Sequence, residues 1–190
     1  MNIRVLVGAV AGTLLVPSVG LADFIYTGVE ISYVDVEFDN GVAALNGDGY
    51  RFGGSYALND QYFLVGEFEE QSFDLGIDGS TAEVGIGFHH SFGNTVDFIG
   101  TASFVQEEIG LAGASIDEDG FALGGGIRAR LTDAFEVDAS LQYVNLDQSG
   151  SDTGIKLRGR YYFTDRFAFS LETEFDDDID TLSLGFRAEF

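Results

Sequence analysis

Along most of this chain apolar and polar residues alternate one for one, in runs of about ten positions. One run carries Phe121, Leu123, Gly125, Ile127, Ala129 and Leu131 at every second position, with Ala122, Gly124, Gly126, Arg128 and Arg130 between them. A period of two puts each set on one face of a β-strand. Ten strands are predicted on this basis: Phe24–Phe38, Gly49–Leu58, Tyr62–Gln71, Thr81–Phe92, Val96–Gln106, Gly120–Leu131, Phe135–Leu146, Thr153–Phe163, Phe167–Phe175 and Thr181–Phe190. Four connections share a five-residue pattern, apolar at both ends with a polar turn between: Leu58–Tyr62, Phe92–Val96, Leu131–Phe135 and Phe163–Phe167. They recur roughly every 35 residues, one hairpin each, and hold the Asn, Asp and Gly that tight turns favour. The other connections, Asp39–Asp48, Ser72–Ser80, Glu107–Asp119, Asp147–Asp152 and Asp176–Asp180, are longer and mostly rich in Gly and Asp.

Short turns at one end and longer connections at the other predict an all-β, antiparallel up-and-down barrel with both chain ends on the short-turn side. Ten strands is the leading count. Eight stays open, because the boundary of the first connection is the least defined. Alternation does not say which face points out: a soluble lipocalin-like barrel also alternates, with its apolar face inward. The polar face decides for a membrane barrel. It mixes small residues with charges, as in Glu83, Gly85, Gly87 and His89, which suits a confined interior; a solvated face would carry Lys and Glu throughout, and the chain has a single Lys. Aromatics gather near strand ends, where a bilayer has its interfaces. The last strand, at ~3.3 Å per residue and a tilt of ~40°, crosses roughly 25 Å, the apolar height of such barrels.

Composition narrows the function. The 190 residues suffice for one domain, and the formal charge of −23 argues against nucleic acid, a polyanion that the chain repels. There is no Cys, hence no disulfide, thiolate metal site or Cys nucleophile. Residues 1–22 read as a cleaved signal peptide: Arg4, an apolar run from Val5 to Val16, Pro17, then Gly20-Leu21-Ala22 with small residues at the cleavage positions. The barrel domain is then 23–190, and the expected location is the bacterial outer membrane, reached through the periplasm.

The hairpin repeat, the signal segment and the ending Leu184-Gly185-Phe186-Arg187-Ala188-Glu189-Phe190 make the chain resemble the small Gram-negative outer-membrane β-barrels of the OmpA/OmpX type, without a peptidoglycan-binding domain. The resemblance covers all of 23–190. It implies that the terminal Phe190 is the signal read by the barrel-assembly machinery, although Ala188 is a weak penultimate apolar position. It also implies a monomer among outer-membrane lipid and lipopolysaccharide.

The inward-facing charges sort by strand: Glu67 and Glu69, then Glu83, Asp97, Arg128 and Arg130, Glu136 and Asp138, Lys156, Arg158 and Arg160, Glu172 and Glu174, Arg187 and Glu189. From the sixth strand onward basic and acidic strands alternate or mix, so neighbours place opposite charges within reach, and a ladder of ion pairs along the lumen is expected. Phe63, Val65, Ile99, Val105 and Tyr162 point inward too, which makes a largely plugged interior the leading expectation. A narrow cation-preferring pore is the alternative. Enzymatic barrels keep their working groups near the outer rim. The two histidines, His89 and His90, with Ser91 and Glu83, fall toward the short-turn end, so no catalysis is expected. No cofactor is expected. Asp176, Asp177, Asp178 and Asp180 are weak candidates for Ca²⁺ or Mg²⁺, which favour oxygen ligands, and divalent ions would also bridge the acidic loops to lipopolysaccharide phosphates.

Overall fold

The structure is a computed structural model and describes residues 24–38, 46–111, 114–176 and 179–190. The expected signal segment, most of the Asp39–Asp48 connection, and Asp177 and Asp178 lie outside them. Ten strands form one closed antiparallel barrel: β1 (Gly28–Phe38), β2 (Asn46–Ala57), β3 (Tyr62–Phe73), β4 (Ile77–Ser91), β5 (Val96–Leu111), β6 (Ala114–Thr132), β7 (Phe135–Leu146), β8 (Gly150–Tyr162), β9 (Phe167–Phe175) and β10 (Ile179–Glu189). Each strand pairs with its neighbours in sequence, and β1 with β10 closes the ring, Gly28 opposite Glu189 through Phe38 opposite Ile179. Closure leaves no strand edge unpaired around the ring.

The apolar face of every strand points outward. Val84, Leu184 and Leu171 are 62%, 61% and 56% exposed, whereas Val34, Asp97 and Glu136 are at 1% or below. The inside is therefore the polar side, the reverse of a lipocalin-like barrel. A face so apolar is stable only against hydrocarbon, where the closed ladder also satisfies every strand's backbone groups.

The repeated turns close as their composition suggests. Leu58 N–H donates to Tyr62 O at 2.8 Å, Phe92 N–H to Val96 O at 2.7 Å and Phe163 N–H to Phe167 O at 3.1 Å. Asn59 Oδ1 accepts from the amides of Gln61 and Tyr62 at 2.9 and 3.0 Å, and Thr164 Oγ1 from Phe167 at 3.0 Å, side-chain substitutes for a backbone turn. Gly93 has φ +75°, a conformation other residues adopt at a cost. The turn before β7 carries a register shift between Arg130 and Thr132.

Three stretches differ most from those expected. The first strand begins at Gly28 and not at Phe24, because residues 24–27 leave the ladder and carry Phe24 and Tyr26 into the lumen. The Glu107–Asp119 connection is mostly strand: β5 runs to Leu111 and β6 starts at Ala114, with Glu107 opposite Glu118 and Ile109 opposite Ile116. Acidic residues hid the hairpin, but a ladder already in register propagates through polar residues once its two strands are paired. Ser72–Ser80 contracts likewise to a 3-10 turn, Asp74–Gly76.

Candidate functional site: the charged lumen

Among the described residues every Lys and Arg but Arg166 lies in the lumen. Alternation places them there, since each faces away from a neighbouring Phe, Leu, Ile or Tyr. At the short-turn end Glu136, 1% exposed, takes Arg128 and Arg130 together, each at 2.6 Å. Arg128 also reaches Glu189 at 3.4 Å, and Glu189 holds Arg187 at 2.8 Å. Tyr162, on the inner face of β8, donates to Glu189 at 2.9 Å and receives Arg128 at 3.2 Å.

Midway, Arg160 pairs with Asp138 at 2.5 Å, and Glu30 lies 3.9 Å from Arg160 and 3.7 Å from Arg187 while accepting the Ser170 hydroxyl at 2.6 Å. Toward the loop end Arg51 joins Glu69 to Glu172, with Glu67 at 3.4 Å. Arg158 binds the other oxygen of Glu172, and Lys156 sits 3.1 Å from Glu174. Arg51 comes from β2 and Glu172 from β9, with β1 and β10 between them, so this pair spans a chord of the lumen.

The residues named from sequence thus meet in three layers. Some partners sit directly opposite in the ladder, as Arg158 with Glu172, Lys156 with Glu174 and Arg130 with Glu136. Others pair diagonally: Arg160 faces Glu136 in register yet bonds Asp138. Glu67 and Glu83 face each other, a like-charged pair; Glu67 lies by Arg51, and Gln142 donates to Glu83 at 3.4 Å. Two network members escaped the sequence reading, Arg51 and Glu30. Both carried the signal that found the rest: Arg51 stands among Gly49, Gly53 and Ser55, and Glu30 alternates with Val29, Ile31 and Tyr33.

Below the network the short-turn end is filled. Tyr26 donates to Asp97 at 2.7 Å, stacks on His89 at 4.0 Å between ring centroids and lies 4.8 Å from Phe63. Phe24 sits under the guanidiniums of Arg128 and Arg130, 4.8 and 4.7 Å from its ring, within the range of cation–π attraction. His89 Nδ1 is 3.2 Å from Asp97 Oδ2 without hydrogen-bond geometry. His90 points outward against Phe92. Above this layer lies a cavity of about 270 Å³, bordered by Gly124, Gly126, Thr101 and Ser140 on one side and Arg51, Arg158 and Arg160 on the other.

Of the acidic loop candidates, Asp176 donates its amide to Ile179 O at 3.0 Å and Asp180 pairs across the ladder with Phe175. Among the described residues no group of three or more ligating side chains forms a metal site. Phe190 ends the chain facing outward, its amide donating to Thr27 O at 3.1 Å.

A closed ten-stranded barrel with an apolar exterior and a charged interior has the architecture of a transmembrane β-barrel. Solved structures similar to the chain are matched across nearly their whole length. The β domain of the Bordetella autotransporter BrkA is 11% identical, with 87% of this chain and 100% of that one covered and a TM-score of 0.58. The attachment invasion locus protein Ail of Yersinia pestis is 18% identical, covering 87% and 99%, at 0.45. The N-terminal barrel of Pseudomonas aeruginosa OprF is 16% identical, covering 86% and 99%, at 0.45. No protein-family model matches the chain, and no curated protein sequence matches it.

Proposed function

We propose that the protein spans the bacterial outer membrane as a closed barrel with a structural and surface-contact role in the envelope, its lumen plugged by its own ion pairs. The carrying observation is that each of the seven luminal cations has a carboxylate within 4 Å. Paired charges leave little fixed charge to draw an ion through, and the filled short-turn end supports closure. The apolar exterior and the shared fold support the membrane location. The leading segment would serve as the export signal, and Phe190 as the mark read during assembly.

A second reading, a cation-preferring pore, draws on the 270 Å³ cavity and on the acidic loop end, which repels anions. Single-channel recording from the wild-type barrel, after a heat-sensitive gel shift has verified folding, separates the two. Silence is the expected result. Frequent discrete cation-selective steps would replace the plug with the pore.

A further inference from the structure

We propose that the lumen holds a latent path for small cations along its β4–β6 wall, and that Phe24 and Tyr26 are the stopper that shuts it. This rests on the reading that the native lumen is closed.

The barrel interior is filled unequally. Long charged side chains reach in from β7 to β10, from β1 to β3 and, at the short-turn end of β6, from Arg128 and Arg130. The middle of the facing wall carries Gly85, Gly87, Thr101, Ser103, Gly124 and Gly126, and the cavity lies against part of it, at Ile99, Thr101, Gly124 and Gly126. Glu67, Glu83 and Asp138 also border that cavity. Inward carboxylates outnumber inward cations, so a water path there favours cations over anions.

At the short-turn end the same side of the lumen is closed by two rings that belong to no strand. Residues 24–27 precede the ladder. Thr27 is pinned at the rim, its Oγ1 accepting from Ala57 N–H at 3.0 Å and its carbonyl from Phe190 N–H at 3.1 Å. Beyond that pin, Phe24 and Tyr26 are held by contacts that can part without breaking any strand pairing. They are one side-chain hydrogen bond to Asp97, the stack on His89, the cation–π contacts with Arg128 and Arg130, and a bond from Arg128 to Ile25 O at 3.1 Å. Phe63 and His89 form the seat against which Tyr26 closes. A short segment outside the ladder opens at far lower cost than the barrel unfolds.

The test records conductance in planar bilayers with K⁺ as the probe, on wild type, Tyr26→Phe and the Phe24→Ala/Tyr26→Ala double variant, each verified as folded by its heat-sensitive gel mobility. Wild type is expected to be nearly silent. Tyr26→Phe keeps the ring but loses the Asp97 bond, and brief openings should rise roughly fivefold, the population change set by one net hydrogen bond. The double variant should give long cation-selective steps. A silent, folded double variant overturns the stopper while leaving the closed reading intact. Anion-selective steps overturn the cation path. Wild type conducting as freely as the double variant overturns both the stopper and the closed reading.

Discussion

Arg128 and Arg158 carry the same charge in different surroundings. Arg128 has a side chain 4% exposed and is held by Glu136, Glu189 and Tyr162; Arg158 is 26% exposed beside the cavity. Removing one partner of a dry ion pair strands the other, at a cost of about 3–5 kcal/mol, whereas water can replace an arginine that borders a wet space. Arg128→Ala should therefore lower the midpoint of the heat-induced gel shift much more than Arg158→Ala, with both below wild type. At Gly87 the constraint is steric. A Cβ there would stand 2.1 Å from Phe63 Cζ, so Gly87→Ala should cost about 1–3 kcal/mol, as overpacking does. Adding Phe63→Leu should recover part of that loss in a double-mutant cycle; strictly additive losses would exclude the contact.

The β5–β6 hairpin shows what an element can do that its residues do not announce. It carries pairing beyond the outward Phe104 and Phe121 to Leu111 and Ala114, where the chain reads as an acidic loop. Glu107 and Glu118 stand directly opposite, a pairing that costs a sheet stability. Burial, then the charges of Glu118 and Glu69, raise the Glu107 pKa; the Ser149 hydroxyl and amide lower that of Glu118. A carboxyl with a raised folded pKa favours the folded hairpin while protonated. Its contribution is present at acid pH and is lost as pH rises through its titration. Glu118 acts in the opposite sense, its contribution present above the ordinary Glu range and lost as pH falls through its own. By carboxyl NMR, Glu107 should titrate above Glu118, and Glu118→Gln should bring the Glu107 midpoint down. An unmoved midpoint would mean that the two do not interact.

Among the described residues every cation but Arg166 lies inside the barrel, and acid shows outside. Its connections at the loop end contain no Lys or Arg, while the total charge is −23. Contact with the phosphates of lipopolysaccharide would then run through divalent cations, which favour oxygen ligands. Mg²⁺ is expected to raise the unfolding midpoint of the barrel in lipopolysaccharide bilayers, and chelation to lower it; equal midpoints would remove the bridging idea. The same segregation explains how much was legible beforehand. Most luminal charges were found because a strand's period fixes its faces, and the small residues beside Arg128 and Arg130 told inside from outside. Tyr26 was hidden because its run of alternation continues into β1, so nothing local marked where the ladder would begin.

By itself the sequence determined the class of fold, ten as the leading strand count, the four tight turns and which residues share a face, because each depends on neighbours one to four positions apart. Tertiary structure alone decided the rest. Closure of β1 on β10 brought Glu30 beside Arg187, and curvature let Arg51 reach Glu172. The end of pairing at Gly28 freed Phe24 and Tyr26 to enter the lumen. These depend on distances between residues far apart in the chain, which local alternation does not encode and the closed ring does.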